Sequence, residues 1–137
     1  MKKFNCILLV DDDISTNRFH QIVIDSLAVT NNIVFSKNGK DALDYLMHQG
    51  DYANKLSDFI KPNLIFIDLN MPVMDGFRFI ELYTKTSEFN LNKPRIIVLS
   101  TTLIPEEKEK IEANENIFMF LNKPLSKSTL KELFNKM

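Results

Sequence analysis

The chain has few of several residue types, and each shortage excludes a class of protein. Its 137 residues include a single cysteine, Cys6, so no disulfide can form within the chain. Only three glycines are present, and no segment has the Gly-rich pattern with which nucleotide-binding loops hold phosphate. The formal net charge is −1, which argues against a general attraction to nucleic acid. The class of protein that these shortages leave is an ordinary globular protein. Its cysteine, Cys6, is predicted to be a small buried hydrophobic residue.

Long apolar runs are also absent. The first apolar run meets charge at Asp11, which makes it too short for a secretory signal or a membrane span. We therefore expect a cytoplasmic protein without a membrane partner. A length of 137 residues corresponds to about one domain. We predict a single domain over residues 1–137, with no attached DNA-binding or catalytic module.

The chain does contain several short apolar runs that end in polar residues. These are residues 7–10 before Asp11, residues 64–67 before Asp68, residues 96–99 before Ser100, and residues 117–121 before Asn122 and Lys123. Uninterrupted runs of this length are typical of parallel strands that are buried on both faces. The functional site of an open α/β sheet lies at the carboxyl ends of its strands, so we expect these polar side chains to converge. Their negative charge would require a divalent cation or the lysine nearby.

Segments with helical spacing alternate with these runs. They are residues 15–28, 39–48, 76–86, 105–114 and a final helix with an apolar stripe at 130, 133, 134 and 137, and residues 33–35 add a fifth strand. Such alternation predicts an α/β fold, a doubly wound five-stranded parallel sheet with five helices, which is the flavodoxin-like arrangement. Residues 49–62 are predicted to form a long polar loop that could extend the second helix, and residues 87–94 a connection into the fourth strand.

The first predicted helix carries both an apolar stripe and a histidine. The stripe recurs at helical spacing and is predicted to face the core; it consists of Phe19, Ile22, Val23 and Leu27. His20 lies on the same helix, where we expect a surface or half-buried residue rather than one that takes part in chemistry.

The segment after Asp68 suits a reactive carboxylate. Pro72 and Gly76 are expected to fix a turn that opens the next helix. A hard divalent ion such as Mg²⁺ prefers carboxylate and carbonyl oxygens together with several waters. Asp12, Asp68 and one backbone carbonyl would provide such ligands and leave positions for water.

Four motifs therefore follow one another along the chain. They are Asp11 and Asp12 after the first strand, Asp68 after the third, Ser100 after the fourth, and Lys123 with Pro124 after the fifth. A fifth feature is the stretch that follows Asp68, because residues 70–76 read Asn-Met-Pro-Val-Met-Asp-Gly. In this order and content the chain resembles the receiver domain of two-component response regulators, of the single-domain chemotaxis type. The resemblance extends over essentially the whole chain.

The resemblance implies a phosphorylation site that is assisted by a metal. Asp68 would be the residue that is phosphorylated, while Mg²⁺ (or Mn²⁺) and Lys123 stabilise the oxygens of the phosphoryl group. Asp12 would bind the metal directly and Asp11 mainly through water. The main-chain carbonyl of Asn70 would be the third protein ligand.

Two details of this site stay open. Asp13 is left over when the acidic pair is aligned with the family, so it is either a loop residue near the site or the direct metal ligand in place of Asp12. The bond from Lys123 to Pro124 is cis in the family, which would aim the ammonium into the site. The sequence does not show which isomer is present.

Further residues would control the output and the lifetime of the phosphoryl group. The resemblance makes Ser100 and Phe120 a switch pair, in which the hydroxyl moves towards the phosphoryl group and the ring fills the vacated space. Plain core packing is the alternative for Phe120. Asn70, Thr101 and Thr102 lie at positions that tune the site in the family.

The implied partners are proteins. A sensor histidine kinase or a histidine phosphotransfer protein would supply the phosphoryl group, and a downstream protein would bind the surface of the fourth predicted helix, the fifth strand and the fifth helix. The chain would not be an enzyme beyond catalysing its own phosphorylation and dephosphorylation. One alternative is a receiver-like binding module that works without phosphorylation. Another is an aspartate-nucleophile phosphohydrolase, but Asn70 stands where such enzymes need an acid.

Overall fold

The computed structural model describes residues 3–101 and 104–137, and a parallel sheet forms its centre. Strand β1 spans Ile7–Val10, β2 Ile33–Ser36, β3 Leu64–Asp68, β4 Arg95–Ser100 and β5 Ile117–Asn122. The five strands lie in the order β2-β1-β3-β4-β5, and each neighbouring pair is parallel. This topology confirms the predicted doubly wound sheet.

Helices connect the strands, and the described part of the chain contains six of them instead of the five predicted. They are α1 (Ile14–Asp25), α2 (Gly39–Met47), α3 (Gly76–Tyr83), α4 (Ser87–Asn92), α5 (Pro105–Ala113) and α6 (Lys127–Asn135). The additional helix, α4, occupies the segment that was predicted to be a plain connection. Thr86 caps it by accepting a hydrogen bond from the Phe89 amide at 3.1 Å, and the Phe89 side chain is buried. None of the described helices is long and apolar enough to cross a membrane.

The long segment between α2 and β3 does not extend α2, so that part of the prediction is wrong. The helix ends at Met47, and the backbone of the next residue, His48, is left-handed with φ 57°. Two short 3-10 turns follow, at Gly50–Tyr52 and Leu56–Asp58. The Tyr45 hydroxyl then holds the segment, because it donates to the Ile60 carbonyl at 2.8 Å and accepts from the Ile60 amide at 3.1 Å.

The sheet has a hydrophobic core on each face. Leu8 and Val10 pack with residues of α2, α3 and α5, whereas Ile7 and Leu9 pack with residues of α1 and α6. Since helices cover both faces, the central strands carry no alternating polar residues. Cys6 is buried, as predicted, and burial raises the pKa of its thiol to about 11.

The two edge strands are less buried than the apolar runs predicted. In β2 the side chain of Phe35 is 41% exposed, and in β5 that of Phe118 is 36% exposed. Within residues 3–101 and 104–137, neither strand has a neighbour on its outer side. The guanidinium of Arg95 partly covers Phe118, with its central carbon 4.5 Å from the ring centroid.

Helix α1 buries a face that overlaps the predicted one only in part, since Val23 and Leu27 of the predicted stripe are half-buried and pack against the core. Phe19 and Ile22 are 47% and 61% exposed, whereas Asn17, His20 and Ile24 are the buried residues of the helix. The helix also ends at Asp25, three residues before the predicted end at Ala28. Two polar side chains therefore occupy the inner face, and the prediction that His20 lies on or near the surface is wrong.

Candidate functional site

The polar residues that follow β1, β3, β4 and β5 meet at the carboxyl edge of the sheet. The ammonium nitrogen (Nζ) of Lys123 lies 2.6 Å from Oδ2 of Asp11 and 3.4 Å from Oδ2 of Asp68. Ser100, at the end of β4, is buried beside them, and its carbonyl accepts a hydrogen bond from the Lys123 amide at 3.0 Å. The convergence expected from the strand pattern is therefore present, and it comes from the parallel register of the strands.

Three carboxylates of this site form a cluster that could hold a metal ion. Asp11, Asp12 and Asp68 each offer one oxygen atom, and these atoms all lie within 4.8 Å of one another. Asp11 and Asp68 are buried, while Asp12 is exposed and could keep water on its side of an ion. Oxygen donors from carboxylates suit a hard divalent cation. The donor set therefore fits the metal that the resemblance implied.

The electrostatics of the site follow from partial burial of charged groups. Burial raises the pKa of Asp68, and the charge of Lys123 partly offsets that rise. Burial alone would lower the pKa of Lys123, but the hydrogen bond and the negative charge of Asp11, together with Asp68, raise it overall. Lys123 thus stays an ammonium ion, and it neutralises part of the negative charge of the pocket.

The loop between β1 and α1 separates the roles of its three aspartates. The Asp13 carboxylate caps α1 by accepting from the amides of Ser15 at 2.9 Å and Thr16 at 3.4 Å. Its own amide donates to Oδ1 of Asp11 at 2.9 Å. Hydrogen bonds from Thr16, followed by that from Ser15, lower the pKa of Asp13. The Asp13 carboxylate is thus engaged at the helix cap, and the acidic cluster contains Asp12 in its place.

The loop between β3 and α3 needs glycine at its end. A Cβ atom on Gly76 would lie 2.5 Å from the carbonyl oxygen of Asp68 and 3.0 Å from the Cα of Leu69. The Gly76 amide donates to the Leu69 carbonyl at 3.0 Å, which folds the loop back beside the strand. Asp75 then caps α3 by accepting from the Arg78 amide at 2.9 Å. The turn predicted after Asp68 depends on this close approach of the backbone.

The other residues with expected roles lie at varied depths around the site. Thr101 is exposed and lines an open cavity of about 440 Å³ with Asp12 and Lys123. Phe120 is half-buried and packs against the core that contains α2, α3 and α5. Asn70 is exposed, directly beyond Leu69. Thr102 lies outside the described residues. The Lys123–Pro124 bond, whose isomer the sequence left open, is cis.

Two buried polar residues of α1 reach the site, and sequence reasoning missed both. The Asn17 amide group donates from Nδ2 to the Asp11 carbonyl at 3.2 Å. Nε2 of His20 accepts from the Leu125 amide at 3.2 Å, two residues beyond Lys123. Their spacing of three residues places them on one helix face. The search for an apolar stripe found Val23 and Leu27, which pack against the core, but it took no account of polar residues on the buried face.

Comparison with known proteins agrees with this geometry. The family model described as response regulator receiver domain matches residues 7–135. The chain therefore belongs to the response regulator receiver domain family, which serves two-component signalling. Receiver domains accept phosphoryl groups from histidine kinases and interact with partner proteins.

Individual relatives support the assignment over nearly the whole chain. The response regulator Rcp1 of Synechocystis sp. is 31% identical over 93% of this chain and 80% of that protein. A solved two-component response regulator from Cytophaga hutchinsonii has a TM-score of 0.81 and 30% identity, covering 98% of this chain and 97% of that chain. The Mn²⁺-bound form of response regulator Rcp1 has a TM-score of 0.70 and 26% identity, covering 96% of this chain and 88% of that chain.

Proposed function

We propose that Asp68 accepts a phosphoryl group from a phosphohistidine of a sensor kinase or of a histidine phosphotransfer protein. A carboxylate oxygen of Asp68 forms a bond to phosphorus while the phosphorus–nitrogen bond of the donor breaks, and the donor imidazole takes up a proton. The observation that carries the proposal is the position of Asp68, 3.4 Å from the Lys123 ammonium and within the acidic cluster. A nucleophile, a cation and metal ligands are the parts that phosphoryl transfer requires.

The metal of this proposal is Mg²⁺ or Mn²⁺. Asp12, Asp68 and the Asn70 main-chain carbonyl would bind it directly, and Asp11 mainly through water. The ion would neutralise the charge of the phosphoryl oxygens. The three carboxylates of the cluster support a site for a divalent ion, and the existence of a Mn²⁺-bound form of the similar Rcp1 supports the choice of ion.

Lys123 would bind the phosphoryl oxygens that the metal leaves free. Its ammonium already lies between two carboxylates at 2.6 Å and 3.4 Å, so only a short movement would bring it to an oxygen on phosphorus. The raised pKa of Lys123 keeps it charged for this role. Asn70, Thr101 and Thr102 would set the rate at which water removes the phosphoryl group.

The output would be a change in protein binding. Ser100 and Phe120 would carry the change, because Ser100 is buried at the site and Phe120 is half-buried on the neighbouring strand. The downstream protein would bind the surface formed by α5, β5 and α6, where Phe120 lies. The half-exposed edge strand β5 supports this choice of surface.

The proposal is tested by intact mass measurement after incubation with acetyl phosphate. Wild-type protein and Asp68→Asn are compared with Mg²⁺ and again with an excess of chelator. We expect wild type to gain one phosphoryl group only when Mg²⁺ is present, and the variant to gain none. Stoichiometric labelling of folded Asp68→Asn would show that another residue is the acceptor. Labelling of wild type in excess chelator would show that the reaction needs no metal.

A further inference from the structure

We propose that His20 is a positioning residue for Lys123, acting through the backbone of the loop between β5 and α6. This inference rests on the proposed function, since it concerns the lysine that would hold the phosphoryl group. His20 does not itself touch the reacting atoms. Its imidazole fixes the backbone of the loop that follows Lys123 and so keeps the lysine beside the acidic cluster.

The contact that supports the proposal joins two distant parts of the chain inside the core. Nε2 of His20 accepts a hydrogen bond from the Leu125 amide at 3.2 Å, across 105 positions of sequence. The two residues are each only 1% exposed. A buried amide without an acceptor destabilises the folded state, because the lost hydrogen bond to water is not replaced. Water has little access to this amide, so the imidazole is its natural partner.

Lys123 is held by backbone contacts on both sides. Its own amide donates to the Ser100 carbonyl at 3.0 Å, which ties it to β4. Two residues later, the Leu125 amide is tied to α1 through His20. The segment between these two hydrogen bonds is too short to move independently of them. The position of the lysine Cα is thus determined by β4 on one side and α1 on the other.

The same helix also holds the partner of the lysine. Asn17, three residues before His20, donates from Nδ2 to the Asp11 carbonyl at 3.2 Å. The inner face of α1 therefore contacts the backbone of Asp11 and that of Leu125, which is two residues after Lys123. The charged atoms of Asp11 and Lys123 are 2.6 Å apart. This arrangement explains why α1 turns two polar residues towards the core and leaves Phe19 and Ile22 exposed.

The protonation state of His20 agrees with an acceptor role. A nitrogen that accepts a hydrogen bond carries no proton, so the neutral ring must be protonated at Nδ1. Burial lowers the pKa of His20, the charge of Asp11 opposes this shift, and the charge of Lys123 adds to it. The imidazole is therefore neutral under ordinary conditions and keeps Nε2 available.

Two substitutions of similar length separate the acceptor from the bulk of the side chain. His20→Gln keeps an oxygen that can reach the Leu125 amide, whereas His20→Met fills the space without an acceptor of comparable strength. Ile24→Val serves as the control, since Ile24 is buried on the same face of α1 and its change weakens the core without touching the loop. Each protein is assayed for Mg²⁺-dependent phosphoryl uptake from acetyl phosphate and for stability in urea.

We expect His20→Met to take up the phosphoryl group about tenfold more slowly than wild type, since a misplacement of about 1 Å can slow a reaction by up to about 100-fold. His20→Gln should stay within about threefold of wild type, and Ile24→Val within about twofold even though its stability falls. Equal rates for His20→Met and wild type would overturn the proposal. So would a loss as large in His20→Gln as in His20→Met, because the acceptor would then be irrelevant.

Nuclear magnetic resonance gives a second reading that does not depend on phosphorylation. The chain has two histidines, so the ring nitrogens of His20 can be assigned by comparison with His20→Gln. We expect the Nδ1-protonated tautomer, and we expect the ε-methylene signals of Lys123 to shift in His20→Met but not in His20→Gln. Unshifted Lys123 signals in His20→Met would overturn the positioning role. If wild type takes up no phosphoryl group from acetyl phosphate yet the variants show this pattern of shifts, the positioning role is supported independently of the proposed function.

Discussion

The middle of strand β3 and its carboxyl end are two residues apart, yet their environments are opposite. Phe66 is fully buried in the apolar core beneath α1 and α6. Asp68 is also buried, but it lies among charged groups, 3.4 Å from the ammonium of Lys123. Burial of Phe66 stabilises the fold, whereas burial of the Asp68 carboxylate opposes its ionisation. The residues that fold this domain and those that give it chemistry are therefore separable along a single strand.

The largest effect is expected at the end of the strand. Asp68→Asn should abolish phosphoryl uptake, because the amide cannot attack phosphorus. The fold should persist, since the substitution removes a carboxylate whose ionised form is penalised by burial. Intact mass after incubation with acetyl phosphate and circular dichroism of the same sample measure the two properties. An unfolded variant would show that Asp68 is needed for structure as well.

The second effect concerns the cation opposite Asp68. Lys123→Ala should retain Mg²⁺ binding through the acidic cluster but lose the coupling between phosphorylation and the shape of α5. Hydrogen exchange of the α5 amides, before and after phosphorylation, measures that coupling. If the phosphorylated variant shows the same change in α5 amide exchange as wild type, Lys123 does not couple phosphorylation to the shape of α5.

The third effect belongs to the middle of the strand. Phe66→Ala should lower the free energy of unfolding by about 3–5 kcal/mol, the usual cost of truncating a buried phenylalanine. Phosphoryl uptake by the molecules that remain folded should be close to that of wild type, because the Phe66 side chain is part of the apolar core and not of the acidic cluster. Urea unfolding and the intact-mass assay test this together. A large loss of phosphoryl uptake under conditions in which the variant is fully folded would show that the packing of Phe66 affects the geometry of the site.

The fourth effect sharpens the boundary between the two regions. Gly76→Ala should destabilise the protein by about 1–3 kcal/mol, typical of a substitution that forces a backbone shift. The added methyl would lie 2.5 Å from the Asp68 carbonyl oxygen, so phosphoryl uptake should slow as well. A urea titration gives the stability. Unchanged stability would mean that the loop can move away at little cost.

The smallest effect is a dependence on pH. The raised pKa of Asp68 means that protonation of its carboxyl stabilises the folded state relative to the unfolded chain. This stabilisation is fully present below pH 3.8, the ordinary pKa of an aspartate. It is lost as the pH rises through the raised pKa. Since asparagine does not ionise, the unfolding free energy of wild type should fall relative to that of Asp68→Asn across this window. Urea titrations in metal-free buffer at several pH values measure the difference, and a constant difference would contradict the expectation.

Much of the fold was predictable because the central strands are continuous apolar runs. The runs before Asp68 and Ser100 became β3 and β4, and both residues lie at the predicted edge. Helix α4 was not predictable in the same way, since its stability depends on one cap at Thr86 and one buried ring at Phe89. The buried face of α1 was mispredicted in part, because apolar periodicity cannot indicate a face whose function is to form hydrogen bonds.

The sequence by itself determined which residues could carry the chemistry. Apolar runs end at Asp11, Asp68, Ser100 and Lys123, and parallel strands must bring their carboxyl ends to one edge. Only the tertiary structure decided how those residues are held. The cap at Asp13, the contact of Gly76 with the Asp68 backbone and the hydrogen bond from Leu125 to His20 are all local geometry. The last of them joins residues 105 positions apart, and the packing of α1 against the loop after β5 is what brings them together.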